Sequence, residues 1–249
     1  MICIDGKKVK KCFLGDEAIG RVYLGDALIF QKAPRLPAEY TELQYIKNPN
    51  LGYVLLSTLN PVYTKTWFPD IKIELTVSDL IGTGDVNILG SYIRYSGNYW
   101  CSSLVYYSSS NSRYTFLQGQ TSSNAALSRS ISRYIPYSKT DKATIIIDRP
   151  ITQRFSVNGA EQDISGTYIT TEANLRDPVI LGSYGKVGTT GPVGSNYAFY
   201  GLKAYDSSNQ LVSEIVPVIK GDGTVGLFDI VTYTFSSPTN KTLVAGPEI

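Results

Sequence analysis

Three times within the first thirty residues an apolar run meets an Asp/Gly pair: Ile2-Cys3-Ile4-Asp5-Gly6, Cys12-Phe13-Leu14-Gly15-Asp16 and Val22-Tyr23-Leu24-Gly25-Asp26. The units repeat every ten residues, and each closes on a branched aliphatic at the same offset, Val9, Ile19 and Ile29. An even period keeps equivalent side chains of a strand on one face. Each unit reads as an extended run ending in a turn, so the segment is predicted to be a small β-meander. A meander of about thirty residues buries too little apolar surface to fold alone. It is expected to dock, through Phe13, Leu14, Tyr23, Leu24 and Ile29, on the rest of the chain, on a copy of itself or on a larger assembly.

Pro34 and Pro37 interrupt this pattern and favour an extended, semi-rigid linker. A boundary placed there gives a segment 1–33 and a domain 34–249. In the domain, Ile71-Lys72-Ile73-Glu74-Leu75-Thr76-Val77 alternates with the polar residues on the wet face. Thr144-Ile145-Ile146-Ile147-Asp148 reads as a short strand buried on both faces. Arg154-Phe155-Ser156-Val157 runs into Asn158-Gly159, the strongest hairpin signal in the chain. Further short strands are expected around 86–90, 92–95, 99–107, 113–117, 179–181, 198–205, 211–218, 225–228 and 243–244. Only residues 37–43 read as a place for a turn or two of helix. So many short strands separated by Gly, Asn and Ser turns predict an all-β sandwich or barrel.

Composition agrees: Tyr occurs 19 times in 249 residues, with a single Met. No His is present, which removes Ser-His-Asp and Cys-His catalysis and the commonest transition-metal ligand. A net charge of +2 makes no field for nucleic acid or an anionic membrane. The basic run Lys7-Lys8-Val9-Lys10-Lys11 reads as a solvated hairpin. Cys3, Cys12 and Cys101 are odd in number, lack metal-like spacing, and read as buried free thiols. No apolar run reaches membrane-spanning length, and the N-terminus lacks the apolar core of a signal peptide, so a soluble chain without a cleaved signal is expected.

Three passages carry a resemblance. Leu36-Pro37-Ala38-Glu39-Tyr40-Thr41-Glu42-Leu43-Gln44-Tyr45-Ile46 opens the domain. Ala143-Thr144-Ile145-Ile146-Ile147-Asp148 with Val157-Asn158-Gly159 stands at its centre. Phe199-Tyr200-Gly201-Leu202-Lys203-Ala204-Tyr205-Asp206, residues 211–217, Val225-Gly226-Leu227-Phe228-Asp229 and Ala245-Gly246-Pro247 close it. Together they resemble the concanavalin A-like (laminin-G-like) jelly-roll domains of bacteriophage tail and virion proteins and of prophage genes in gut bacteria. The N-terminal decads are similar to Lys-x-hydrophobic-x-Leu-Gly-Asp repeats that precede such domains. One departure is Lys47-Asn48-Pro49-Asn50-Leu51-Gly52-Tyr53, where the family often has a Gly/Thr-rich run.

The resemblance implies a virion component, assembled in the host cytoplasm. Residues 1–33 would contact other virion proteins, and a lectin-like head would contact host-surface glycan. Assembly as a homo-oligomer, of which a trimer is the simplest guess, would follow. Glucanases of the same superfamily carry a Glu-x-Asp-x-Glu strand that supplies nucleophile and general acid together. Here residues 71–77 offer Glu74 alone, so no catalytic residue and no enzyme is expected. Neither metal nor cofactor is expected: Asp85/Asn87 and Asp206/Asn209 read as turn formers. For sugar, strand parity over 99–107 sets Trp100, Leu104 and Tyr106 on one face, taken as the core. Tyr99 and Tyr107 are left outward beside the polar loop holding Asn111, with Trp67 a further candidate. A glycan hydrolase with displaced acids and a bacterial surface adhesin are the alternative readings.

Overall fold

In the computed structural model the chain divides into two compact units, Met1–Ala38 and Glu39–Ile249. The structure describes residues 3–4, 7–8, 12–14, 17–19, 21–24, 27–31, 35–63, 71–82, 84–95, 99–121, 129–165, 177–184, 192–238 and 241–249. Of these, residues 3–31, 92–95, 99–103, 120–121, 129–130, 184 and 192–193 are described by backbone alone. The three thiols fall in that second group, outside the described side chains.

The first unit corrects the expected meander. Each decad is a complete two-stranded hairpin rather than one strand. Cys3–Ile4 pairs with Lys7–Lys8, Cys12–Leu14 with Glu17–Ile19, and Arg21–Leu24 with Ala27–Gln31, all antiparallel. The innermost pairs, Ile4↔Lys7, Leu14↔Glu17 and Leu24↔Ala27, bracket the three Asp/Gly dipeptides. Among the described residues no ladder joins one hairpin to the next. The physical reason is length. Ten residues hold two strands of two to five residues with two residues between them, so the repeat closes on itself.

The second unit is an all-β sandwich of the jelly-roll type. One sheet has 11 strands, with the central order Ala160–Asp163, Arg154–Val157, Ala143–Asp148, Lys72–Ile81, Asn196–Tyr205, Leu211–Lys220, Val225–Asp229 and Thr234–Ser236. The other has eight, with Arg129–Pro136, Arg113–Thr121, Tyr99–Ser108, Val86–Tyr95, Val179–Ile180 and Val54–Leu55 in that order. Among the described residues pairing is antiparallel apart from one parallel bridge, Ser91↔Tyr184. The chain crosses between the sheets repeatedly, so neither can form without the other.

Alternation builds the core between the sheets. Ile73, Leu75 and Val77 point in from the larger sheet, with Ile145, Ile147, Phe155 and Val157 beside them. Phe116 meets Phe155 across the layers, ring centroids 5.9 Å apart and nearly parallel. Ala143–Asp148, expected to be buried on both faces, is buried on one. Ile145 and Ile147 are sealed, whereas Thr144 is exposed and Ile146 half-buried. The expected helix at 37–43 is instead a turn followed by the strand Tyr40–Glu42, held on Leu211–Lys220. Strand pairing satisfies its backbone, which a lone helical turn would not. Asn158 (φ 47) and Gly159 (φ 85) make the tight turn of the predicted hairpin, both in the left-handed region that such turns demand.

Two buried polar clamps hold the ends of the sandwich. Asn48 is fully buried. Its amide nitrogen donates to the carbonyls of Gly52 at 2.6 Å, Ser195 at 2.8 Å and Leu181 at 3.2 Å, and its oxygen accepts from Gly52 N–H at 2.8 Å. This is the structural use of residues 47–53. A Cβ at Gly194 would run into the Leu51 carbonyl, so the two backbones can close on each other only with glycine there. At a second place the buried carboxylate of Asp229 accepts from Asn60 Nδ2 at 3.0 Å, from Ser213 Oγ, and from the amides of Val231 at 2.7 Å and Thr232 at 3.1 Å. Tyr63 joins the same group by donating to Ser213 Oγ at 2.8 Å.

Candidate functional site

Register decides which tyrosines can meet a ligand. Tyr107, Tyr114 and Ile135 lie opposite one another on adjacent strands, and all three are buried, at 2%, 0% and 3% exposure. Tyr107 therefore faces the core, against the expectation that it faces outward. Its ring packs edge-on against Tyr114, and its hydroxyl donates to the Tyr137 carbonyl at 3.2 Å. The parity assumed from Leu104 is inverted. Val105 and Tyr107 join the main core cluster, while Leu104 is buried on the outer face.

Of the other expected sugar contacts, Asn111 is exposed in the turn after Tyr99–Ser108. Its amide donates to Ser108 Oγ at 3.2 Å and Ser110 Oγ at 3.1 Å. It thus shapes the turn that launches the next strand. The Tyr99 side chain and all of Trp67 lie outside the described residues. The same holds for the side chains of Phe13, Leu14, Tyr23, Leu24 and Ile29, whose strands are described.

One residue away from the buried row runs an outer one: Tyr106↔Thr115↔Tyr134, again directly opposite across three strands. Tyr134 is 50% exposed, the most open tyrosine of that sheet among the described side chains. Arg113, two residues from Thr115 on the same face, sits diagonally to Tyr134, within reach of a long side chain. Its guanidinium carbon stands 4.0 Å from the Tyr134 ring centroid. The Arg113 Nε is sealed from solvent with no acceptor, and Arg113 takes part in none of the ion pairs among the described residues. Burial pushes the Tyr106 phenol above its ordinary value. The neighbouring Thr115 hydroxyl draws it back, Asp85 raises it and Arg113 lowers it. A cation, two phenols and a hydroxyl thus gather on one strand face beside the serine-rich turn.

The outer face of the larger sheet also carries tyrosines, but they are occupied. Lys72 stands 5.0 Å over Tyr205, Lys142 4.1 Å over Tyr200 and Lys47 5.7 Å over Tyr45. Tyr205 donates to Glu74 at 3.3 Å, Glu74 pairs with Lys72 at 2.9 Å, and Tyr200 is bonded to Ser78 at 3.1 Å. Glu74 is held by these two partners, and Asp79 of the same strand pairs with Lys47 at 3.3 Å. Asp206 spends one oxygen on the amides of Ser208 at 2.8 Å and Gln210 at 2.9 Å, closing its own turn. No three acidic or cysteine side chains gather among the described residues in a way that could hold a metal ion.

Sequence reasoning passed over Arg113 and Tyr134. The signal lay in Ile131-Ser132-Arg133-Tyr134-Ile135, whose alternation sets Tyr134 opposite in face to Ile131 and Ile135. Bringing Arg113 to it needed the cross-strand register. No family model matches the chain, and no curated protein does either. No helix among the described residues is long and apolar enough to cross a membrane.

Proposed function

We propose that this protein is a structural, receptor-interacting component of a phage or prophage virion, with residues 1–33 as the attachment segment and the sandwich as a lectin-like head. The observation that carries the reading is the contrast between the two units. The sandwich is a closed fold with its own core and polar clamps. The first unit is three short hairpins, each paired only within itself among the described residues. Two-stranded hairpins are marginal in water and gain stability by adding strands or packing on another surface. A repeated element of that kind, placed ahead of a self-sufficient module, suits docking into a larger assembly.

The recognition half of the proposal rests on the Tyr106–Thr115–Tyr134 row with Arg113. Tyrosine gives contact area with a polar tip at small entropic cost. Particles purified from an induced strain that carries the gene test the first half: the full chain is expected in them, and a chain lacking residues 1–33 is expected to stay in the soluble fraction. Equal incorporation of the shortened chain would remove the attachment role. Binding of the full chain to a glycan array tests the second half.

A further inference from the structure

We infer that Arg113 and Tyr134 form a subsite for a carboxylated sugar, such as a uronic or nonulosonic acid residue of a surface polysaccharide. The inference rests on the lectin reading above and names its ligand class. Most arginines on a sheet surface either wander in solvent or pair with a carboxylate. Arg113 does neither. Its guanidinium carbon lies over the Tyr134 ring, 4.0 Å from the centroid, and its Nε is shut away from water. Its two terminal nitrogens make no hydrogen bond among the described residues. A half-buried arginine held over a ring, with no acid paired to it among the described residues, is suited to be an end-on fork for a carboxylate. The geometry is already set, so little side-chain freedom remains to be lost on binding.

The surroundings choose a sugar over a bare anion. The half-exposed Tyr134 ring offers an apolar platform for the C–H face of a pyranose beside the cation. Half-buried Tyr106 continues the row beyond Thr115, which is itself buried, and Asn111 stands in the turn that leads into Arg113. By contrast, on the opposite outer face Lys47, Lys72 and Lys142 sit on tyrosine rings, and Lys47, Lys72 and Lys203 are paired to acids. Charge complementarity therefore points an acidic residue at Arg113.

The test uses the full chain and five probes in calorimetric titrations: oligogalacturonate, the same oligosaccharide fully methyl-esterified, sialyllactose, lactose as its neutral partner, and poly-glutamate. At least one acidic sugar is expected to bind, to weaken with added salt, and to exceed its neutral partner by about tenfold or more. Arg113→Gln and Tyr134→Ser are each expected to weaken that binding by about tenfold, and Arg113→Lys to restore only part of it. Lys142→Gln, on the other outer face, is expected to leave it unchanged. Thermal unfolding midpoints equal to that of the unsubstituted chain show that the variants are folded. Should any of the four fail that control, the charge preference and salt response of the unsubstituted chain still decide the matter. Equal binding of acidic and neutral sugars, or acidic binding untouched by Arg113→Gln, overturns the subsite and leaves the lectin reading standing. Binding of poly-glutamate as tight as that of oligogalacturonate, and equally dependent on Arg113, overturns the sugar assignment in favour of an acidic peptide. Absence of binding to every sugar overturns the subsite and the glycan half of the proposed function together, while incorporation into particles still reports on the attachment half.

Discussion

Tyr107 and Tyr114 face each other across neighbouring strands with ring centroids 5.0 Å apart and planes at 76°. This edge-to-face pair sits inside the sandwich, where Tyr107 also reaches the Tyr137 carbonyl. Tyr107→Ala is expected to cost about 3–5 kcal/mol, the usual loss for a large buried ring. Tyr107→Phe keeps the ring and loses one hydrogen bond, so about 1 kcal/mol is expected. Urea denaturation measures both. Binding of any sugar by the Phe variant should match the unsubstituted chain; a specific loss of binding at unchanged stability would mean that this tyrosine is a ligand contact after all.

The Asn48 amide faces three carbonyls and accepts one backbone amide. Asn48→Ala leaves several buried groups without partners, each costing about 1–3 kcal/mol, so a loss near 3 kcal/mol or more is expected in denaturation. Asn48→Asp is more telling, because it sets an oxygen against the three carbonyls. Burial and those dipoles raise the folded-state value of the new acid, so its protonated form is the better tolerated one. The variant should be less destabilised near pH 4 than near pH 7, relative to the parent at each pH. An equal deficit at both would show that the site is open to water.

Elements driven by local pattern were legible in the sequence. The alternation of residues 71–77 became Lys72–Ile81, and Asn158-Gly159 turned the hairpin it signals. Parity over 99–107 was not, because Leu104 and Val105 are adjacent, both apolar and both buried. Nothing local says which of them faces the core; Phe116 and Phe155 meeting from opposite sheets decide it. The decads were read as single strands because a two-residue strand is too short to show alternation. Asn48 and Asp229 escaped notice for another reason. Their partners lie 133 and 147, or 169, residues away along the chain, so their worth exists only once the sandwich has closed. Arg113 and Tyr134 are nearer in sequence, yet their meeting depends on the pairing of Arg113 with Pro136.

Tyr63, Tyr114 and Tyr197 give the fold an alkaline limit. Burial drives all three phenols far above their ordinary value; the bond to Ser213 opposes this at Tyr63, and the bond from the Leu181 amide opposes it at Tyr197. In the unfolded chain they ionise near pH 10. The native state therefore holds its protons more tightly, and the resulting stability is fully present below about pH 10 and is lost progressively above it. Denaturation midpoints should change little on this account between about pH 7 and 9 and fall beyond 10. Tyrosinate absorbance should rise in two stages, exposed rings first and these three together with unfolding. All 19 phenols titrating near pH 10 in a chain that stays folded would contradict the burial described here.

The three hairpins of the first unit predict a separation of stabilities. Each has one ladder of two to five residues per strand, and among the described residues none borrows an edge from its neighbours. Opening such a hairpin costs little, so a protease samples it often, and cleavage then follows the open population. Trypsin is expected to cut the full chain first within residues 1–38, at sites such as Lys7, Lys8 and Arg21, leaving the 39–249 unit intact. The trimmed protein should melt within a few degrees of the full chain, since residues 43–243 supply the described sandwich core. Assembly into a particle supplies the missing strand edges and surface, so the same sites should become resistant there. A free full chain that resists trypsin throughout residues 1–38, or a peptide of those residues that unfolds cooperatively as a monomer, would mean that the hairpins sustain themselves and need no host structure.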